Sequence, residues 1–231
     1  MKRHLSFVIL SVAAAVASAN QYYVGYEGND LPESEPGWVR YHGDENGSQG
    51  GALRYIETDP NGNSYLVIDS LRNQMIYDYA QYGRQMDPGQ GELFVAEWRV
   101  KILEHYGWYN SGLGFASDTG NLQAFYYSFD HIARSQGGTY PISAGEFHSY
   151  RFESPDMAHY VLWIDDQEVW NGTWDIIGGV VFSSAGFGDP IQGGGGRSLA
   201  EWDYFRFGVV PEPSSMVLIL LVCVCAAAHR R

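Results

Sequence analysis

The sequence predicts an all-β fold, a two-sheet antiparallel sandwich of jelly-roll type. Three observations carry this. Alternating aromatic and β-branched residues recur in short stretches, punctuated by Gly, Pro, Asn and Asp. No long stretch shows a 3.6-residue apolar period. About a dozen such strands fall between Asn20 and Val209, enough to require two packed sheets.

Gln21 to Tyr26 reads as the first strand, followed by a loop from Asn29 to Gly37 that holds two prolines. Strands from Gly50 to Thr58 and Tyr65 to Ser70 flank the turn Asp59-Pro60-Asn61-Gly62-Asn63. Gln74 to Tyr79 is a short strand, and Asp87-Pro88-Gly89 is a turn. Glu92 to Leu103 is the longest strand, with Leu93, Val95 and Glu97 on one face and Phe94, Ala96 and Trp98 on the other. Gly112 to Ala116 and Asn121 to Ala133 follow, joined through Ser117-Asp118-Thr119-Gly120. Glu146 to Phe152 and Tyr160 to Ile164 come next, then Glu168 to Trp170 across a tight Asp165-Asp166 turn. Val180 to Phe187 and Leu199 to Val209 complete the domain.

The ends of the chain have a different character. Met1-Lys2-Arg3 is cationic, Phe7 to Val16 is apolar, and Ala17-Ser18-Ala19 supplies the small residues that a signal peptidase reads. The apolar run is shorter than the roughly 20 residues a membrane span takes. The pattern predicts a signal peptide over 1–19 and an exported chain beginning at Asn20. At the other end, Val210-Pro211-Glu212-Pro213-Ser214 precedes an apolar run from Met216 to Ala228 and the terminal His229-Arg230-Arg231. The prolines keep the motif extended, and the arginines suit the cytoplasmic side of a membrane. That run is 13 residues long. As a helix it would reach about 20 Å against a hydrocarbon core of about 30 Å, a poor permanent anchor.

The C-terminal pattern, over 210–231, resembles the PEP-CTERM sorting signal of bacterial exported proteins. The resemblance implies that Pro211, Glu212, Pro213 and Ser214 are recognised by an exosortase-type membrane protease. It also implies transient anchoring in the inner membrane, then release to the cell surface or extracellular matrix.

The intervening domain, 20–209, carries ten basic and 26 acidic residues, a net charge of −16. Such a surface repels nucleic acid and anionic lipid and is compatible with neutral polysaccharide or with cations. Cys223 and Cys225 both lie in the tail, so the domain has neither disulfide nor thiol chemistry.

Three segments resemble the concanavalin A-like lectin/glucanase superfamily in its laminin-G-like branch. Tyr26-Glu27-Gly28-Asn29-Asp30-Leu31-Pro32 with Trp38 is similar to its opening strand and loop. Glu146-Phe147-His148-Ser149-Tyr150-Arg151 with Tyr160-Val161-Leu162-Trp163-Ile164-Asp165-Asp166 is similar to its central hairpin. Glu201-Trp202-Asp203-Tyr204-Phe205-Arg206-Phe207 is similar to its closing strand. The resemblance implies a structural calcium ion held by Asp203, with the Glu27 side chain and carbonyls near Gly50 and Gly51 completing a shell of six to eight oxygens.

Glycoside hydrolysis needs two carboxylates flanking the scissile bond. The superfamily's glucanases place them as Glu-x-Asp-x-x-Glu or Glu-x-Asp-x-Glu, and neither pattern is present. Glu57 and Asp59 run into Pro60, Asp166 and Glu168 fall in a turn, and Glu201 with Asp203 lacks a third carboxylate. Near Glu97 a partner's place is taken by Arg99. Gly-x-Ser-x-Gly and paired-histidine metal motifs are missing too. His42, His105, His131, His148 and His159 are scattered and read as ordinary strand or loop residues. Aromatic platforms for sugar are expected at Trp108 and Tyr109, in the loop from Gly107 to Gly112, and at Trp170 and Trp174 around Asn171-Gly172-Thr173. The expected function is therefore a non-catalytic, lectin-like surface or matrix domain that binds polysaccharide. The competing classes are a glycoside hydrolase or lyase with an unrecognised site, and a purely structural matrix protein.

Overall fold

The computed structural model describes residues 24–42, 53–71, 76–81, 88, 90–107, 111–117, 119–176, 184–189 and 196–211. The expected signal peptide and the sorting motif from Glu212 onward lie outside them; Pro211 ends the last strand, exposed. In chain order the strands are β1 (Val24–Tyr26), β2 (Trp38–His42), β3 (Leu53–Thr58), β4 (Ser64–Asp69), β5 (Ile76–Gln81), β6 (Glu92–Gly107), β7 (Gly112–Ala116) and β8 (Asn121–Tyr127). They continue as β9 (His131–Arg134), β10 (Thr139–Pro141), β11 (His148–Ser154), β12 (His159–Ile164), β13 (Gln167–Thr173), β14 (Asp175–Ile176), β15 (Ser184–Asp189) and β16 (Gly196–Pro211). Among the described residues the only helix is a single 3-10 turn, Pro32–Ser34, and none is long and apolar enough to cross a membrane.

Two antiparallel sheets form the expected sandwich. One runs β13-β12-β11-β6-β16-β4-β3 with β1 beside β16; the other runs β10-β9-β8-β7-β15-β5-β2 with β14 beside β8. These are called the β6 sheet and the β8 sheet. The two-residue alternation expected on β6 holds: Phe94, Ala96, Trp98, Val100 and Ile102 join the core, while Glu97, Arg99 and Lys101 face outward. From the β8 sheet come Leu113, Phe115, Phe125, Tyr127 and Phe187. Aromatic rings bridge the layers. Within the β6 sheet Trp98 stacks on its cross-strand neighbour Tyr150 at 5.3 Å and 3°; across the layers its Nε1 donates to Tyr127 Oη at 2.6 Å, and Phe115 stacks on Phe152 at 4.9 Å. Such pairs add about 0.5–1.5 kcal/mol each beyond the area they bury. Burial pushes the Tyr127 and Tyr150 hydroxyls well above the ordinary tyrosine range, so both stay neutral in the core.

Two expected turns hold the register. Asp59 accepts from the backbone of Asn61 and Asn63 and from Asn63 Nδ2, at 2.8, 3.0 and 3.1 Å. The Asn63 hydrogen bonds lower its carboxyl below the ordinary aspartate value. The stabilisation this gives the β3–β4 hairpin is present above the usual aspartate range and is lost as pH falls through the lowered value. Asp165 and Asp166 both have positive φ, 49° and 64°, the signature of a type I′ hairpin turn. Asp165 is useful there because its carboxylate accepts from Ser149 N at 2.9 Å and His148 Nδ1 at 2.6 Å.

Three departures from the sequence reading matter. The single strand expected from Asn121 to Ala133 is two, β8 and β9, folded back at Ser128-Phe129-Asp130, with Ser128 N donating to His131 O at 2.8 Å. No Gly, Pro or Asn marks that turn. β6 runs four residues past Leu103 through a register shift against β16 between Leu199 and Ala200. β10 was not expected, since it contains Pro141; it sits at a sheet edge, where a proline costs no ladder bond.

Candidate functional site

The outer face of the β8 sheet carries a cleft of about 440 Å³. Its floor follows from strand alternation. Phe125 and Tyr127 point inward, so Tyr126 and Ser128 point outward. Tyr126 stands opposite Ala133 and Ala133 opposite Thr139, while Ser128 stands opposite His131. These side chains share one face and line the cleft. Arg134 also lines it, but in register with the inward Phe125. Its guanidinium turns away, donating from Nε to Gly137 O at 2.7 Å and from Nη1 to Tyr160 Oη at 3.3 Å.

The opposite wall is the extension of β6, which contributes His105 and Gly107. The walls are tied together where Phe129 N donates to His105 Nδ1 at 3.0 Å. Among the described residues three large apolar side chains are exposed: Tyr55, Tyr106 at 63 % and Phe129 at 39 %. Tyr106 and Phe129 adjoin lining residues in sequence, but neither is among the side chains that line the cleft: Tyr106 alternates with His105 along β6, and the Phe129 ring lies near Gly145. His131 Nδ1 donates to Asp130 Oδ1 at 2.7 Å, and that hydrogen bond holds the Asp130 carboxyl below the ordinary range.

The outer positions of β7 and β15 are small. Gly188, Gly112 and Tyr126 are in register across β15, β7 and β8, as are Gly186, Gly114 and Ala124, and Ser184, Ala116 and Leu122. No carboxylate stands at these positions, so they supply neither general acid nor nucleophile for glycoside hydrolysis. On the β6 sheet the one strand-borne pair, Glu201 and Asp203, is held by Lys101 and Arg99. Glu97 is held by Arg151 at 2.5 Å.

The residues expected to bind sugar are placed differently. Trp108 and Tyr109 lie outside the described residues. Trp174 is 5 % exposed, packed against Phe152 and Phe115 at 5.6 and 6.4 Å; its ring presents no free face. Trp170 stands opposite the core residue Leu162. It is half-buried, stacked on Phe125 at 6.2 Å and 5°, with the Arg134 guanidinium 5.5 Å from its ring. Both are packing residues because alternation turns them toward the sheet interface.

The calcium expectation meets a mixed arrangement. The opening and closing segments do come together: Val24, Gly25 and Tyr26 pair with Phe207, Arg206 and Phe205. Gly28, at φ +69°, lies so close to the Asp203 carbonyl that a Cβ there would overlap it. The side chains, however, are engaged by arginines. Glu27 accepts from Arg206 through both oxygens at 2.7 and 2.6 Å, and Asp203 accepts from Arg99 Nη1 at 2.5 Å. Among the described residues no three His, Cys, Asp or Glu side chains gather around one point. Gly50 and Gly51 lie outside them. As arranged, Glu27 and Asp203 do not fit a calcium shell, which requires carboxylate oxygens free of competing cations.

No protein-family model and no curated protein matches the sequence. Solved structures match by fold. A carbohydrate esterase from the Shiga toxin-encoding bacteriophage phi24B superposes with a TM-score of 0.59 at 12 % identity, over 83 % of this chain and 99 % of that one. Lectin II from Ulex europaeus gives 0.48 at 10 % identity, over 82 % and 100 %, and peanut lectin gives 0.46 at 11 %, over 81 % and 97 %. The likeness to the esterase is one of fold alone.

The cleft residues His105, Tyr126 and His131 were not singled out as a site by sequence. The histidines read as scattered because their meeting depends on the unmarked turn at Phe129 and on the overrun of β6. An exposed phenylalanine in a Ser-Phe-Asp turn was the available signal.

Proposed function

We propose that the protein is an exported, non-catalytic glycan-binding protein whose ligand lies in the cleft between the β6 extension and strands β8 to β10. The observation that carries this reading is the lining of the cleft, which sets the Tyr126 ring beside His105, His131, Ser128 and Thr139. Aromatic faces suit the C–H surfaces of sugars, and a few convergent polar groups fix orientation. The acidic domain and the carboxylate-free centre of the sheet favour a neutral polysaccharide. The similarity in fold to a carbohydrate esterase adds a saccharide-handling precedent without supplying a catalytic group. A glycan array beside a reducing-sugar release assay tests the reading: binding without release is expected. Release would establish a hydrolase, and silence in both would leave a structural matrix protein.

Export rests on the two chain ends. Signal peptidase would remove 1–19, and an exosortase-type protease would act at Pro211 to Ser214 after brief retention in the inner membrane. Intact mass spectrometry of surface-released protein should give a chain that begins at Asn20 and lacks Met216 to Arg231. Recovery with His229-Arg230-Arg231 attached contradicts that processing.

A further inference from the structure

The two imidazoles of the cleft have opposite hydrogen-bonding character. His105 Nδ1 accepts the Phe129 N–H, which puts the ring proton on Nε2 and makes that atom a donor. His131 Nδ1 donates to the Asp130 carboxylate; in the neutral ring this leaves a lone pair on Nε2 and makes that atom an acceptor. Three consecutive residues, Phe129, Asp130 and His131, therefore set both rings. No hydrogen bond among the described residues engages either Nε2, and both histidines line the cleft.

We infer that the cleft reads two adjacent hydroxyl groups of one sugar ring, the first accepting from His105 Nε2 and the second donating to His131 Nε2. This rests on the glycan-binding reading and names its ligand class. A hydroxyl both donates and accepts. A vicinal pair thus completes a directional chain from His105 N–H through the first hydroxyl, then the second, to the His131 lone pair, and each bond in it polarises the next. A sugar lying with its C–H face on Tyr126 keeps its ring-edge hydroxyls for the imidazoles. A carboxylate or sulfate in the same place satisfies His105 but faces the His131 lone pair with no proton to give. The class selected is a neutral sugar with an unsubstituted vicinal diol.

The test uses glycans that bind on the array, before and after mild periodate oxidation and borohydride reduction, which open vicinal diols and spare rings without them. The intact protein should lose at least about tenfold in affinity for the treated glycan, as expected when a desolvated polar group is left without its partner. His105→Leu and His131→Leu should each weaken binding to the untreated glycan by a similar factor. His105→Gln and His131→Gln, whose amides can donate or accept, should stay within about threefold of wild type. Equal binding of treated and untreated glycan, or wild-type affinity in both leucine variants, overturns the diol assignment. If Tyr126→Ala has lost binding in that case, the cleft reading survives and only the diol falls. If that variant also binds normally, or if no glycan binds the protein at all, the cleft reading falls with it.

Discussion

Replacing Trp98 by alanine should lower the melting temperature by about 6–20 °C. Trp98 is fully buried at the meeting of the two sheets, stacked on Tyr150 and bonded through Nε1 to Tyr127. Trp→Ala in a core costs about 3–5 kcal/mol through lost burial and the cavity left behind. In a domain of this size about 1 kcal/mol shifts the midpoint by 2–4 °C. Tyr127→Phe should cost less, about 1–3 kcal/mol, because it removes one hydroxyl and orphans the buried indole N–H. Calorimetry of the three proteins decides this. A Trp98→Ala variant melting within 2 °C of wild type would mean that β6 does not face the other sheet.

The substitution Tyr126→Ala should weaken glycan binding by roughly 5- to 30-fold, taking about 1–2 kcal/mol for the aromatic contact and 1.4 kcal/mol per tenfold. It should lower the melting temperature far less than Trp98→Ala does, since the Tyr126 ring lies on the outer face and outside the core. The contrast between the two variants separates architecture from recognition. Titration of a bound saccharide against wild type and variant supplies the numbers. Unchanged affinity would place the ligand elsewhere.

What was legible in the sequence follows from where the physics is local. The alternation of Phe94, Ala96 and Trp98 against Leu93, Val95 and Glu97 needs only a two-residue period, and it fixes β6 without reference to any neighbour. The Asp59 and Asp165-Asp166 turns carry their own hydrogen-bonding chemistry. The pairing of the first and last strands was also within reach. The site was not, because its parts are distant in sequence. His105 reaches the cleft only through the β6 extension beyond a register shift, and the turn at Ser128-Phe129-Asp130 carries no Gly, Pro or Asn to mark it. The tryptophans drew attention as large rings, yet Trp174 is spent on the core and Trp170 is half-buried against it. Glu27 and Asp203 are near each other as the family resemblance implied, but Arg206 and Arg99 take their carboxylates, which no spacing rule reveals.

Hydrogen–deuterium exchange with and without a saturating saccharide from the array tests the cleft most directly. The account predicts slowed exchange confined to residues 104–107 and 126–134, the two walls joined by the Phe129 N–H to His105 bond. Slowed exchange on β3 and β4 instead, with those two segments unchanged, would contradict it.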